Sequence, residues 1–238
     1  MADARIDACR SEVYAVNVAD TQDALRSAAR DLFVEAGLAG FSMRKVAARV
    51  GVTATSIYRH FEDKDALLAA VVDHGFRGFA GYLMRSLEGQ DPLERLSLCT
   101  AAYIDFALDN PRDYALMFMT NCADLGLERT DEDSRERRRG TFQMLVDRID
   151  ECMDAGLLSE APRVETALGV WSHAHGLASL WLSGHLGDSM DEAGFRELAR
   201  DALAATYRGL MAEPVPGQND NTVNMAPTTG GNDDARAD

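Results

Sequence analysis

Residues 44 to 61 read RKVAARVGVTATSIYRHF and place cations, hydroxyls and an aromatic side chain around a short apolar core. The apolar residues recur at helical spacing and predict a helix over residues 42–50, with its cations on the other side. Gly51 follows directly, where a glycine ends a helix in the left-handed conformation without steric cost. Ala47 is small enough to let a second helix cross closely.

A third helix is predicted over residues 53–60. Val52 provides an apolar anchor inside the turn, and Thr53 can accept the backbone amides at the start of this helix. Two short helices joined by such a turn have the layout of a helix-turn-helix.

The residues of this third helix separate into two faces at about 100° per residue. Ala54, Ile57 and Phe61 fall on the side that we expect to be buried. Thr55 and Arg59 point the opposite way, with Ser56 on a flank. Hydroxyls and a guanidinium on an outward face suit the major groove of DNA, where Arg pairs with guanine. An ordinary solvated helix explains the hydroxyls equally well.

Lys64 favours the DNA-binding interpretation. It lies in the first turn of a fourth helix, where the helix dipole disfavours a cation unless a phosphate is bound there. Asp63 is the predicted N-cap of that helix. The polar tip of Tyr58 is expected to reach a phosphate, whereas His60 is explained equally by packing and by DNA contact.

The net charge of −15 is distributed unevenly along the 238 residues. Residues 41–64 hold five cations and two carboxylates, which gives +3, and they include the only two lysines of the chain. A local basic face on an acidic protein is compatible with DNA binding. The string DEDSRERRRG at 131–140 mixes both signs and is interpreted as the solvated start of a helix.

The chain is predicted to be all-α, with an N-terminal three-helix unit and a C-terminal helical domain. Helical periodicity sharpens from Asp20 to Gly37, and further helices are predicted at 92–109, 112–125, 133–156, 162–184 and 191–211. These patterns divide the chain into four predicted segments. They are a flexible arm (1–19), the helix-turn-helix domain (20–65), a helical ligand-binding and dimerisation domain (66–212) and a disordered tail (213–238). No apolar run is long enough to span a membrane and no secretory signal is visible, so we expect a cytoplasmic protein.

An enzymatic function is not favoured. His173 and His175 diverge by about 200° on a helix and cannot hold one metal ion together. No nucleophile elbow, phosphate-binding loop or carboxylate cluster stands out, and the four cysteines are far apart. We therefore expect no catalytic residue, metal or cofactor. A helical interaction module that does not bind DNA would leave Lys64 without a role.

The segment FSMRKVAARVGVTATSIYRHFEDKDALL, residues 41–68, resembles the N-terminal module of the tetracycline-repressor (TetR) family of bacterial transcription regulators. The resemblance spans roughly residues 20–70. NPRDYALMF (110–118) and WSHAHGLASLWLSG (171–184) are similar to one subgroup of the family's regulatory domains, which carries a Trp/His-Gly helix motif.

The resemblance implies a homodimer that binds a palindromic double-stranded operator and releases it when a small-molecule inducer enters the C-terminal domain. The positions implied to contact DNA are Arg44, Thr53, Thr55, Ser56, Tyr58, His60 and Lys64. Arg59 stands where the family often has an aromatic residue, and we add it as a contact particular to this chain. Met43 replaces a frequent Thr or Ser, which removes one phosphate contact.

The C-terminal half is expected to contain a ligand pocket and a dimer interface. A pocket needs aromatic and methionine side chains with a few polar groups. The candidates are Phe79, Tyr82, Tyr103, Phe106, Met117, Phe118, Asn121, Trp171 and His175, any of which could instead be plain core. The last two predicted helices are rich in small and apolar residues and are expected to form the dimer interface.

Overall fold

The computed structural model describes residues 2–125, 127, 130–187 and 189–211, and for residues 2–19, 122 and 123 it describes the backbone alone. Within these residues the secondary structure consists of helices joined by turns and short loops, with one isolated β-bridge between Leu158 and Met211. The helices are α1 Ala2–Gly40, α2 Met43–Val50, α3 Ala54–Ile57, α4 Lys64–Leu83, α5 Pro92–Asp109, α6 Pro111–Phe118, α7 Glu132–Asp154, α8 Arg163–Leu182 and α9 Glu192–Leu210. The predicted all-α class is confirmed.

The long first helix, α1, is interrupted near its end. Gly37 has a φ of 61°, which breaks the helical path at the predicted stop. The backbone of α1 begins at Ala2, ahead of the predicted start at Asp20. That residues 1–19 form a flexible arm stays a prediction, because no side chain there is described.

Helices α5, α7, α8 and α9 lie within two residues of their predicted bounds, and α6 begins one residue before its predicted start. Pro92 and Pro111 occupy the first turns of α5 and α6, where a missing amide hydrogen costs nothing. Asp91, Asp131 and Asp191 cap α5, α7 and α9 by accepting a backbone N–H three residues ahead. Helix α6 ends at Phe118, short of the predicted 125, and a separate 3₁₀ helix covers Cys122–Leu125.

One hydrophobic core runs through both halves of the chain. Helices α1, α2 and α3 pack on one another, and α1 also contacts α4 and α6. Helix α5 is central to the C-terminal half, where it packs against α4, α6, α7, α8 and α9. Helix α4 therefore connects the N-terminal unit to the larger bundle.

The domain boundaries stay predictions. The proposed tail, residues 213–238, lies outside the described residues. The N-terminal unit and the bundle share the buried side chains of α4, among them Leu67, Val71 and Phe76.

Candidate DNA-binding surface and ligand cavity

The turn between α2 and α3 has the geometry that the sequence predicts. Gly51 has a φ of 77°, and its amide donates to the Ala48 carbonyl at 3.2 Å. The Val52 amide donates to the Ala47 carbonyl at 3.0 Å, so the two bonds form the 5→2 and 6→1 pair of a Schellman motif. The turn fixes the direction in which α3 leaves α2.

Helix α3 begins at its predicted cap and is shorter than predicted. The Thr53 hydroxyl oxygen accepts from the Ser56 amide at 3.1 Å, and the α-helical part ends at Ile57. The Ile57 carbonyl still accepts from the amides of His60 and Phe61, so residues 58–60 continue as a tight turn. The helix-turn-helix therefore leads almost directly into α4.

The predicted DNA-contacting residues lie on the surface of this unit. Ser56 and His60 are half-buried, and the other six are exposed, namely Arg44, Thr53, Thr55, Tyr58, Arg59 and Lys64. Tyr58 is 54% exposed although its ring is largely apolar. The exposed hydroxyl of a tyrosine can donate to a phosphate oxygen, as tyrosine side chains do in protein–DNA complexes. The contacts themselves stay predictions.

Two groups of cations are distinguished by what they already bind. Arg49 pairs with Glu35 at 2.6 Å, and the Lys45 ammonium donates to the Gly40 carbonyl at 2.7 Å, so both fasten α2 to α1. Arg44, Arg59 and Lys64 form no ion pair with any residue in the described ranges. The cations that the protein uses internally are thus not those assigned to DNA.

One predicted core position is wrong. Ile57 and Phe61 are buried, but Ala54 is exposed. Ala54 is the first residue of a helix of four residues. A helical wheel gives the direction of a side chain and not the extent of the neighbouring helix, which explains the error.

The start of α4 is built as expected. Asp63 is its N-cap, and the side-chain oxygen accepts from the Ala66 amide at 2.8 Å. Lys64 is the first residue of the helix and is exposed. A cation at this position opposes the helix dipole and suits a bound phosphate.

The C-terminal bundle contains a cavity of about 250 Å³ that is lined by α4, α5, α6, α7 and α8 and is partly open to the surface. Among the nine predicted ligand-binding residues, five line it. These are Phe79, Tyr103, Met117, Phe118 and Trp171. The Phe118 ring lies 5.6 Å from those of Phe79 and Tyr103 and 6.3 Å from that of Trp171, centroid to centroid. Phe118 therefore connects three walls of the cavity.

The other four predicted residues do not line the cavity. Phe106 is buried behind Phe79, and Asn121 is exposed. The Tyr82 hydroxyl donates to Asp109 at 2.9 Å, toward the α4–α5 surface. His175 lies behind the wall that Tyr103 forms. Their roles in ligand binding stay predictions without support from this geometry.

His175 belongs to a buried hydrogen-bond network. Its Nδ1 lies 2.7 Å from the Tyr114 hydroxyl and 3.0 Å from the Tyr103 hydroxyl, and those hydroxyls are 3.1 Å apart. Burial lowers the pKa of His175 and raises that of Tyr103. All three groups are therefore neutral near pH 7, and the network joins α5, α6 and α8.

Helix α7 lines the cavity through residues that the sequence did not point to. Arg138, Thr141, Phe142 and Leu145 face the cavity at helical spacing. The mixed charges of 131–140 concealed this face because Arg138 stands among three other arginines. The i, i+3, i+4, i+7 pattern from Arg138 to Leu145 is the signal that could have identified it.

Helix α5 adds two small polar side chains to the cavity wall, Cys99 and Thr100. Burial raises the pKa of the Cys99 thiol to about 12, so this group stays protonated and unreactive. The Thr100 hydroxyl is hydrogen-bonded to that of Tyr207 on α9.

Two ion pairs join α6 to α1. Arg30 on α1 pairs with Asp113 on α6 at 3.0 Å, and Arg112 on α6 pairs with Asp31 on α1 at 3.0 Å. Burial alone would raise the pKa of Asp31, but hydrogen bonds from Arg30 and Arg112 lower it below its ordinary value. One end of α6 thus contacts the N-terminal unit, while Met117 and Phe118 at the other end line the cavity.

The surface of α8 and α9 carries exposed apolar side chains. Leu168 and Leu180 on α8 are 47% and 46% exposed, and Leu198 on α9 is 38% exposed. Trp181 is not among them, because it stacks on Phe195 of the same chain at 4.6 Å between ring centroids.

The described residues contain no group of three or more His, Cys, Asp or Glu placed to hold a metal ion. His173 and His175 contact different partners, because the Nδ1 of His173 lies 2.6 Å from the Thr206 hydroxyl. None of the described helices combines the length and apolar character needed to cross a membrane.

Proteins similar to this chain are found both among characterised sequences and among solved structures. A stretch of 51 residues is 49% identical to the "HTH-type transcriptional repressor Rv3405c" of Mycobacterium tuberculosis, covering 21% of this chain and 27% of that protein. Among solved structures, a Rhodococcus sp. RHA1 protein of unknown function is 26% identical with a TM-score of 0.65, over 80% of this chain and 95% of its own. A TetR-family transcriptional regulator of Pectobacterium atrosepticum is 25% identical with a TM-score of 0.58, over 84% and 98%.

Two family sequence models match separate parts of the chain. Residues 25–71 match "Bacterial regulatory proteins, tetR family", and residues 96–206 match "Tetracyclin repressor-like, C-terminal domain". The first match covers the helix-turn-helix, and the second covers most of α5 to α9. The chain therefore belongs to the TetR family of bacterial regulators, and not to a family of enzymes.

Proposed function

We propose that this protein is a ligand-responsive repressor that binds a palindromic operator as a homodimer and releases it when a small molecule occupies the C-terminal cavity. One observation supports this most directly. Helix α4 begins with exposed Lys64 beside the helix-turn-helix and reaches the cavity through Phe76, Phe79 and Leu83. The same rigid element therefore contacts both candidate sites.

The DNA-binding half of the proposal rests on the exposed side of α3. Thr55, Tyr58 and Arg59 are exposed, and Ile57 and Phe61 anchor the segment from beneath. Hydroxyls and a guanidinium suit base edges and phosphates of the major groove. Lys64 adds a phosphate contact beside them.

The part of the proposal that concerns dimerisation rests on α8 and α9. Their exposed leucines suit burial against a second copy of the chain. In a two-fold dimer, each α3 would meet the major groove about 34–36 Å from its mate, which requires an operator with two inverted half-sites.

The response to a ligand would reach the DNA-binding unit along two helices. Helix α4 connects the cavity to Lys64, and α6 connects it to Arg30 and Asp31 on α1. A ligand that binds better when α4 and α6 are displaced would shift the dimer toward a spacing that does not fit the operator. The free energy of operator binding then falls by no more than the difference between the ligand's binding free energies for the two states.

Selection of binding sites from random double-stranded DNA with the purified full-length protein tests the proposal. We expect enrichment of an inverted repeat whose half-sites are about one helical turn apart. An enriched site without symmetry would contradict the dimer arrangement. No enrichment at low ionic strength would contradict DNA binding and support a helical interaction module instead.

A further inference from the structure

We propose that the cavity binds an amphipathic small molecule end-on, with its apolar tail against α5 and its polar head at an opening beside the end of α6. This ligand class rests on the proposed ligand response and specifies the orientation in which the ligand is held. It depends on three features of the cavity: the closed side that α5 forms, the hydrogen bonds of the hydroxyls on that side, and the partly exposed aromatic rings opposite.

Helix α5 forms the deep side of the cavity. Cys99, Thr100 and Tyr103 line the cavity from this helix, and each is 5% exposed or less. Helix α5 is also the central helix of the bundle, so other parts of the chain lie behind these residues. Tyr207 on α9 is one of them, because its hydroxyl is hydrogen-bonded to that of Thr100. The cavity is therefore closed on its deep side.

The two hydroxyls of the deep side are engaged within the protein. The Tyr103 hydroxyl donates to that of Tyr114 at 3.1 Å and accepts from the indole N–H of Trp171. The Thr100 hydroxyl donates to the Ser97 carbonyl at 3.1 Å, one turn back on α5. An oxygen acceptor of a ligand placed here would therefore lose its hydrogen bonds to water without replacement.

The rest of the buried lining adds little polar character. The Thr141 hydroxyl on α7 donates to the Arg138 carbonyl at 2.8 Å, and a thiol such as that of Cys99 is a weak donor. The other buried residues of the described lining are apolar, namely Phe76, Phe79, Leu83, Met117, Leu145 and Ala174. An apolar tail therefore matches this part of the cavity.

The partly exposed residues of the lining indicate where the cavity opens. Phe118, Arg138, Phe142 and Trp171 are half-buried, whereas the other described lining residues are buried. The ring centroids of Phe118 and Phe142 lie 6.3 and 5.9 Å from that of Trp171. Three of the four residues are thus neighbouring aromatic rings from α6, α7 and α8, which favours a single opening between these helices.

The position of α6 is consistent with an opening at this place. Helix α6 packs mainly on α1, α4 and α5, and it ends at Phe118. Its last turn therefore meets α7 and α8 through side chains, among them the rings of Phe118 and Trp171. Side chains change rotamer far faster than helices move, so a ligand can enter here without displacing a helix first.

A ligand with its polar group at one end suits both sides of the cavity. The tail is removed from water against the deep side, and the head keeps its hydration at the opening. A large head is tolerated because nothing requires it to be enclosed. A compound with a polar group at each end would have to bury one of them against α5, where no donor replaces water. The cavity therefore distinguishes the two ends of its ligand.

Three compounds with the same eight-carbon chain test this orientation with the full-length protein. 1-Octanol has one small polar end, octyl β-D-glucoside has one large polar end, and 1,8-octanediol has a polar group at each end. Affinities are measured by calorimetry, with the glucoside kept below the concentration at which it forms micelles. Tryptophan fluorescence of Trp181→Phe protein gives a second readout, because Trp171 is then the only tryptophan and lines the cavity.

We expect octyl glucoside to bind no more than about fivefold more weakly than 1-octanol, because its sugar stays hydrated, and 1,8-octanediol at least about tenfold more weakly, because one hydroxyl is buried without a donor. 1-Hexanol should bind at least about tenfold more weakly than 1-octanol, because each buried methylene contributes about fourfold in affinity.

A pair of variants on α5 tests where the tail lies. Cys99→Met extends a side chain into the cavity from the deep side and should remove most of the gain from hexanol to octanol. Leu98→Met introduces the same side chain one residue away, at a half-buried position that does not line the cavity, and should retain that gain. Equal effects of the two variants would place the tail elsewhere and overturn the proposal.

The unmodified protein provides further outcomes that would overturn the proposal. Binding of 1-octanol without binding of octyl glucoside would mean that the ligand is enclosed, and equal binding of 1-octanol and 1,8-octanediol would mean that the deep side accepts a polar group. Binding of no probe at millimolar concentration would exclude the ligand class. Probe binding in the expected order that leaves operator affinity unchanged contradicts the ligand response alone. Release of the operator by a small molecule, without this order among the probes, contradicts the ligand class alone.

Discussion

Arg59 and Lys64 are exposed cations on consecutive segments, and they differ in what each would contact. Arg59 lies on the outward side of the helix-turn-helix, where a guanidinium can read guanine. Lys64 lies at the first position of α4, where an ammonium suits a phosphate. Base contacts give sequence specificity, and phosphate contacts give affinity that depends on salt.

We predict that Arg59→Ala weakens binding to the selected operator by about 1–3 kcal/mol and relaxes specificity at one base pair. Lys64→Ala should weaken binding to all sequences and reduce the salt slope by about one unit. Fluorescence anisotropy over a salt series, with cognate and scrambled duplexes, measures both. Equal losses on both duplexes for Arg59→Ala would make it a phosphate contact, and an unchanged slope for Lys64→Ala would refute its role.

Gly51 and Gly140 form a matched pair of glycines with opposite expected responses. A Cβ would meet nothing within 4 Å at either position, so only backbone conformation differs between them. Gly51 has a φ of 77°, whereas Gly140 is inside α7. Left-handed backbone costs about 1–2 kcal/mol for a residue with a Cβ, and Gly inside a helix costs about 0.5–1 kcal/mol relative to Ala.

We therefore predict that Gly51→Ala lowers the free energy of unfolding by about 1–2 kcal/mol, and that Gly140→Ala raises it by about 0.5–1 kcal/mol. Urea denaturation followed by circular dichroism measures both changes. If Gly51→Ala were neutral, the turn between α2 and α3 would not require the left-handed residue.

At the scale of elements, α6 is short and contacts both the cavity and the N-terminal unit. Its last residues, Met117 and Phe118, line the cavity, and Arg112 and Asp113 pair with α1. We expect a displacement of its cavity end to move the ion pairs as well, because both ends belong to one helix of eight residues. Asp113 is the less exposed carboxylate of the two pairs, at 14% of its side chain against 24% for Asp31.

We predict that Asp113→Asn reduces the effect of a cavity ligand on operator affinity by about 1 kcal/mol, which lies within the usual range of coupling between contacting residues. Operator affinity without ligand should change less. A small molecule that binds the cavity is titrated into the operator complex of each variant, and the resulting fall in operator affinity is compared between variants.

Glu151→Gln is the control for this comparison. Glu151 also forms an ion pair, with Arg95 at 2.9 Å, but that pair joins α7 to α5 and does not contact α1. Equal effects of the two substitutions would show that general loosening, and not the α1–α6 connection, changes the response.

At the scale of the whole molecule, we expect a second copy of the chain to dock on α8 and α9, which carry three exposed leucines. Leu168, Leu180 and Leu198 lie on α8 and α9, and because each is already more than half buried, covering the rest contributes about 1 kcal/mol per leucine. Leu87 is equally exposed, at 51%, but lies after α4 and outside this surface.

We predict that Leu180→Glu shifts the protein from dimer to monomer by at least tenfold in dissociation constant, while Leu87→Glu does not. Sedimentation equilibrium measures the dissociation constant. A second readout follows from the operator, because a monomer should bind a palindrome with the affinity of one half-site. A dimer that tolerates Leu180→Glu would place the interface elsewhere.

Local signals in the sequence determined the N-terminal unit. Gly51, Thr53 and Asp63 act through the backbone atoms of their own neighbours, so a turn, a cap and a helix start could be predicted within a few residues. The same holds for Pro92 and Pro111 at the starts of α5 and α6. Ala54 is the exception, because its exposure depends on where α2 ends in space.

Only the tertiary structure decided which side chains line the cavity. Phe79 and Phe106 are both buried aromatic residues, and Arg138 is one of four arginines in a charged string, so their residue types alone do not separate wall from core. Helices α4, α6, α7 and α8 pack on α5, and this packing places Phe79 and Arg138 at the cavity and Phe106 behind it. Chain neighbours fix backbone conformation, whereas a cavity is space left between distant segments, and its volume depends on how all of them pack.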